Sequence, residues 1–371
     1  MNKDLFKRVR ENVKGMKMYK PGKGIKEVKN EYGLDKVIKM ASNENPLGHS
    51  EQVLECLRDS DCNFHQYPDS NCNQLKNCLA DFYNIKKEKL FIGNGSDEII
   101  DHIMTVFVEK GDEVILADPS FIKYKLAVQA SGGISKEIPL TEDYRHDLAS
   151  MAEAVTEKTK VIFICDPNNP TGTIVDRKKL LDFIEAVPSD ILLVVDQAYY
   201  EYVTENDYLK GMELINKYSN LIFLRTFSKI YGMAGFRVGY GIATPQLVEL
   251  LNRVRSPFNV NKVAQLAAVA ALCDQQHVQK SKNCNENGKT YLYNALDELG
   301  LQYIPTQGNF MLINTELKAV NVFEKLMRQG VIVRPGNIFG LPTWIRVTIG
   351  QKEDNQEFIK HLKNIISKGE L

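Results

Sequence analysis

The sequence has a single tryptophan, no net charge, no Cys-x-x-Cys knuckle and no apolar run long enough to cross a bilayer. Each absence excludes something. With 47 basic and 47 acidic side chains, the chain lacks the field that would recruit nucleic acid or anionic lipid. Seven cysteines (Cys56, Cys62, Cys72, Cys78, Cys165, Cys273 and Cys284) form an odd set, and the six histidines lie away from them. That argues against a disulfide framework or a metal site, and reduced thiols are expected. The opening Met1-Asn-Lys-Asp-Leu-Phe-Lys-Arg8 has no apolar signal core, so a cytoplasmic protein without nucleic-acid or membrane partners is expected. A G-x-G-x-x-G fingerprint and a Walker loop are also missing, which removes the main sequence support for a dinucleotide or P-loop enzyme.

What is present is an α/β rhythm. At 371 residues the chain exceeds the size at which one core stops growing, so a large domain with a smaller companion is expected. Near-continuous apolar runs at Glu113–Ala117, Val161–Cys165, Ile191–Val195 and Leu221–Leu224 alternate with amphipathic helical stretches, predicting a mostly parallel sheet buried on both faces. After Ser256-Pro257 a helical pattern from about Asn261 to Cys273 leads toward a C-terminal part. The expected division is 1–44 as an N-terminal segment joining the small domain, 45–258 as the large domain, and 259–371 as a linking helix and the small domain.

In open α/β sheets ligands collect beyond the carboxyl ends of the strands. The residues that follow the four runs therefore belong together: Asp118-Pro-Ser-Phe121, Asp166-Pro-Asn-Asn169-Pro-Thr-Gly172, Asp196-Gln-Ala-Tyr199 and Thr226-Phe-Ser-Lys229. An aromatic ring, an amide, a carboxylate, a phenol and an amine meet at one edge. Upstream, Gly93-Asn-Gly95-Ser96-Asp97-Glu98 leads into a helical pattern, and a glycine-serine helix start can seat a phosphate. Ser228 and Arg237 could complete that seat. A lysine amine of ordinary pKa, ~10.4, is a poor nucleophile, but beside a second cation in a partly dry site it becomes one, which makes Lys229 the candidate. Asp196 suits the ring nitrogen of an electron-withdrawing pyridine. Taken singly each feature has an ordinary alternative: a solvated lysine, a helix cap, a turn asparagine, a core aromatic. Their order is what carries weight.

In that order the chain resembles the fold-type I pyridoxal-phosphate aminotransferases over nearly its whole length. Within them it is similar to the histidinol-phosphate branch, through Tyr19-Lys-Pro-Gly-Lys23, Ser42-Asn-Glu-Asn45-Pro-Leu-Gly48, Tyr67-Pro-Asp69, Val333-Arg334-Pro-Gly336 and Ile345-Arg346-Val-Thr-Ile-Gly350. The resemblance implies pyridoxal 5'-phosphate on Lys229, with Asp196 at the ring nitrogen, Asn169 and Tyr199 at the ring oxygen, and Phe121 stacked on the ring. Gly95, Ser96, Asp97, Ser228 and Arg237 would surround the phosphate. Tyr67 would reach a neighbouring subunit's site in a homodimer, and Arg346, helped by Arg334, Tyr19 and Asn45, would bind the substrate's anion. Implied substrates are histidinol phosphate and glutamate or 2-oxoglutarate, exchanged by ping-pong kinetics. A threonine-phosphate decarboxylase-like lyase or a broad-specificity aromatic aminotransferase shares most of these features. Three positions depart from the commoner pattern: Gln197 for glutamate, Phe121 for tyrosine and His49 for proline.

Overall fold

A computed structural model describes residues 3–16, 18, 22–60 and 63–367. Its first strand is β1 (Ile38–Lys39). Then come β2 (Leu90–Gly93), β3 (Glu113–Asp118), β4 (Ile134–Pro139), β5 (Thr159–Cys165), β6 (Leu192–Asp196), β7 (Leu221–Thr226) and β8 (Gly239–Ile242). The remaining strands are β9 (Tyr303–Ile304), β10 (Phe310–Asn314), β11 (Val331–Ile332), β12 (Arg334–Pro335) and β13 (Trp344–Thr348). The central sheet has the order β2-β8-β7-β6-β5-β3-β4. From β7 to β4 the neighbours run parallel, and β8 lies antiparallel between β2 and β7. This is the mostly parallel α/β sheet expected from the alternating pattern.

The apolar runs are continuous because both faces of each strand are covered. On β5, Val161, Phe163 and Cys165 enter one hydrophobic cluster while Ile162 and Ile164 enter another, and β6 and β7 alternate in the same way. Helices Ser96–Phe107, Ile122–Ser131 and Pro245–Val254 close the first cluster; Glu51–Asp59, Asn73–Tyr83, Arg177–Ala186 and Lys262–Cys273 close the second. With a pleat period of two and cover on each side, no position is left for solvent.

The last of these helices departs from the sequence reading, which grouped it with the C-terminal part. Asn261 caps it, Oδ1 accepting from the Ala264 N–H at 2.8 Å. Its small buried face of Ala264, Ala267, Ala268 and Ala271 then packs closely against the helices Glu51–Asp59 and Asn73–Tyr83 in the large core.

A second, antiparallel sheet has the order β12-β13-β10-β9, and β1 pairs in parallel with β11. Ile38 and Met40 share a cluster with β10, β13 and the helices Ala319–Arg328 and Lys352–Ser367, so the early chain is built into the C-terminal part. The helix Glu11–Lys14 instead lies on the large unit, where Asn12 Nδ2 donates to the carbonyls of Gln129 and Ala130 at 2.7 and 2.9 Å.

Candidate active site

Because β3, β5, β6 and β7 run in one direction, the segments that leave them emerge along a single edge. There they meet residues from β13 and the segment after β1 around a cavity of about 370 Å³. Phe121, Asn169, Asp196, Tyr199, Ser228, Lys229, Arg237, Arg334 and Arg346 all line it, together with Ser96 and Asp97.

Asp196 is the deepest of these. It continues β6 by one residue past the apolar run, in register with Cys165 and Leu224, and is 2% exposed. Its Oδ2 accepts from Tyr124 OH at 2.7 Å and its Oδ1 from the Ala198 N–H at 3.1 Å. Burial pushes its pKa up to about 6, against these two hydrogen bonds. Lys229 is half-buried, with Nζ 3.4 Å from the Ser42 carbonyl and 5.5 Å from the centroid of the Tyr199 ring. Its dry surroundings, and after them Arg346, lower its pKa to about 8, while Asp97 and Glu44 oppose the shift. The cavity thus holds a carboxyl group made more basic and an amine made less so, the signature of groups tuned for proton and bond exchange.

Tyr199 and Asn169 stand between them and Arg346. Tyr199 OH accepts from Asn43 Nδ2 at 2.9 Å and from Asn169 Nδ2 at 3.4 Å, and burial raises its pKa. Arg346 donates from Nη1 to Asn169 Oδ1 at 2.5 Å and from Nη2 to the Ala41 carbonyl at 2.7 Å. Its guanidinium also lies against the rings of Phe310 and Phe339, 5.5 and 5.6 Å from their centroids. A buried planar cation fixed in this way is an anion receptor.

At the other end the helix Ser96–Phe107 begins after Gly95, whose φ of 78° gives the chain its sharp entry and which supplies no side-chain cap. The free N–H groups and positive end of the first turn therefore face the cavity, beside Ser228 and Arg237. Crowding by the Arg237 guanidinium at Gly95 and by backbone at Gly239 keeps this cradle bare. A Cβ on Gly95 would lie 2.7 Å from Arg237 Nη2, and one on Gly239 would lie 2.6 Å from the Ser96 nitrogen. Arg237 also pairs with Asp97 at 3.2 Å. A phosphate is the group that fits such a cup.

Other candidates sit elsewhere. Asn45 is behind the cavity wall, its Nδ2 donating to the Ile230 carbonyl at 2.6 Å and to Ser281 Oγ at 2.8 Å. Tyr67 is 80% exposed, stacked on Phe258 with centroids 4.4 Å apart, and does not line the cavity of its own chain. Tyr19 lies outside the described residues. Gln197 faces away from the cavity, where Nε2 donates to Tyr208 OH and the Leu209 carbonyl and Oε1 accepts from the buried Arg225. His49 is also outside, its Nδ1 3.1 Å from the Ser50 carbonyl. Phe121 lines the cavity and makes a T-shaped contact with Tyr124, centroids 5.5 Å apart. Two participants were not singled out in sequence: Asn43, next to the conspicuous Glu44-Asn45, and Tyr124, which reads as one more amphipathic-helix residue.

The sequence profile described as aminotransferase class I and II matches residues 35–362. The chain belongs to that family. Among family members, a histidinol-phosphate aminotransferase of Caldicellulosiruptor saccharolyticus is 50% identical over 96% of this chain and 99% of its own length. That of Bacillus subtilis is 45% identical, covering 97% of this chain and all of the relative. In three dimensions the chain is similar to the histidinol-phosphate aminotransferase of Sinorhizobium meliloti, solved in complex with pyridoxal-5'-phosphate. The TM-score is 0.90 at 25% identity, over 98% of both chains. The aspartate aminotransferase of Thermus thermophilus shares the fold, with a TM-score of 0.84 at 21% identity.

Proposed function

We propose that this aminotransferase uses pyridoxal phosphate to move an amino group between histidinol phosphate and 2-oxoglutarate, giving imidazole acetol phosphate and glutamate. One cavity that holds Lys229, Asp196 and a bare phosphate cradle carries the cofactor reading, and the near-full-length likeness to histidinol-phosphate aminotransferases supports the substrates. Bound there, the cofactor supplies an aldehyde for the amine and an electron-withdrawing ring for the substrate α-carbon.

The chain's own residues do the rest. Ser96, Ser228, Arg237 and the first helical turn hold the phosphate. Asp196 would keep the ring nitrogen protonated, with Tyr124 holding Asp196 in place; Asn169 and Tyr199 would reach the ring oxygen, and Phe121 would stack on the ring. Lys229 Nζ would take the proton from the substrate α-carbon and pass it on to the cofactor, which requires the neutral amine that its lowered pKa makes available near neutrality. Arg346 and Arg334 bind the anionic end of the substrate. Tyr67, exposed in one chain, suits a homodimer in which it completes the partner's site.

A donor panel tests the assignment. Histidinol phosphate with 2-oxoglutarate is expected to turn over well ahead of phosphothreonine and free aromatic amino acids, with parallel double-reciprocal lines. Preference for a phosphate-free donor, or carbon dioxide release from phosphothreonine, would remove the specific reading. Replacing the fork of Arg346 by a point charge, Arg346→Lys, should lower kcat/KM for both partners by roughly 10–100-fold, the weight of one or two charged hydrogen bonds. Tyr124→Phe should slow turnover by about tenfold, because one charge-assisted bond to Asp196 is lost. An unchanged rate with an unchanged circular dichroism spectrum would show that Tyr124 is only core packing.

A further inference from the structure

The proposed reaction sets a recognition problem. One cavity must accept a phosphate monoester bearing an imidazole, and then a dicarboxylate. Arg346 answers for the anion common to both, since its guanidinium is held by Asn169 and Ala41 and can serve the same point in each half-reaction. The far ends of the two substrates have nothing in common. One is a heteroaromatic ring with a nitrogen-bound proton to donate, and the other is a second carboxylate.

Among the described residues, three carboxylates line the cavity. Asp196 is engaged by Tyr124 and Ala198 at the strand end, and Asp97 faces Arg237. The third, Glu44, belongs to the segment after β1 and accepts from Lys39 Nζ at 2.8 Å. That segment borders the reacting position. Its Ser42 carbonyl accepts from Lys229 Nζ at 3.4 Å, and the charge of Glu44 reaches far enough to favour the protonated form of Lys229. The Lys39 and Glu44 side chains are 23% and 43% exposed, so the pair stands in the wetter part of the cavity. Half-exposed ion pairs are weak, and either member can turn to a new partner at little cost.

We propose that the Lys39–Glu44 pair reads the variable end of the substrate, an inference that rests on the functional reading above. With the dicarboxylate bound, Lys39 turns to the distal carboxylate. With histidinol phosphate bound, Glu44 accepts from the imidazole N–H. The pair is therefore a two-faced receptor whose unused half neutralises the other, while Arg346 stays fixed.

Two unreactive probes separate these faces on the holoenzyme: glutarate, a dicarboxylate with neither amino nor oxo group, and 3-(imidazol-4-yl)propyl phosphate, the histidinol phosphate skeleton without its amine. Dissociation constants from calorimetric titration are the readout. Lys39→Met should weaken glutarate by about tenfold and leave the imidazole probe within about twofold, and Glu44→Gln should do the reverse, each change being one charge-assisted hydrogen bond. A merely structural pair would shift both probes together in both variants. Such parallel losses, or no change in either, would overturn the proposal. Wild-type turnover of histidinol phosphate reports separately on the functional reading, so turnover without the crossed pattern of affinities removes the role of the pair alone.

Discussion

Lys229→Ala should lower the transamination rate by at least about 10³-fold, since general acid–base transfer alone contributes roughly 10²–10⁴-fold and the covalent tether is lost with it. The structure accounts for the size of the effect. The cavity's other described lysine, Lys39, is paired with Glu44 at 2.8 Å, and the cations that act on Lys229, Arg346 and Arg237, are guanidinium groups that do not give up a proton near neutrality. The folded chain should survive the change, because the Lys229 amine makes a long hydrogen bond, 3.4 Å, to the Ser42 carbonyl and lies 5.5 Å from the Tyr199 ring centroid, both weak contacts. Cofactor affinity should fall but not vanish, as the phosphate cradle and Asp196 are untouched. Borohydride treatment followed by peptide mapping should place the cofactor on Lys229 in the wild type and leave the variant unlabelled. The rate of covalent attachment to the cofactor-free protein should rise with pH through about 8, where the amine loses its proton, instead of near ~10.4 as for an ordinary lysine. A fully active Lys229→Ala protein, or label on another residue, would end this account.

Legibility in the sequence followed burial. Runs such as Val161–Cys165 were readable because strands covered on both faces permit no polar break. Their true ends were not, since Asp118, Asp196 and the pair Arg225-Thr226 continue the ladder with polar side chains that look like loop. Arg225 is wholly buried, its charge accommodated by Gln197 and by the Tyr200 ring 3.3 Å away, contacts made across the fold. Strand β8 was hidden by its two glycines, which weaken any strand signal although Gly239 is required by the approach of Ser96. Strand β4 lies at the sheet edge, part-exposed along its length, and carries charge. At the site, groups that follow strands in sequence were visible as a set, because topology alone brings strand ends together. Asn43 and Tyr124 were not, because their roles depend on a tertiary contact with Tyr199 and Asp196 respectively. Asn45 shows the converse: a polar residue in a conspicuous motif whose side chain ties the segment to Ile230 and Ser281.

Asp196→Asn should separate stability from function more sharply than any other change. In the cofactor-free chain this carboxyl is held in a dry site with its pKa raised to about 6, compared with ~3.9 unfolded. The sign follows from linkage. Below pH ~4 the group is protonated in both states and costs nothing, and as pH rises through the interval to about 6 the unfolded chain ionises more readily, so stability is lost and stays lost above it. Asparagine keeps the shape, and its amide oxygen can still accept from Tyr124 or Ala198, without the buried charge. The cofactor-free variant should therefore be more stable than the wild type at pH 7 by about 1–3 kcal/mol, with the gain disappearing near pH 4. On the proposed role the same change would remove the counter-ion of the protonated pyridine ring, and breaking such a buried pair is worth roughly 3–5 kcal/mol, or about 10²–10⁴-fold in rate. Thermal denaturation across pH and steady-state kinetics measure the two effects independently. If the variant is less stable at pH 7, or transaminates at the wild-type rate, Asp196 is a structural carboxylate and the electronic role assigned to it is wrong. A gain in stability coupled to a loss of turnover is the expected mark of a residue kept at a cost to the fold for the ring it must protonate.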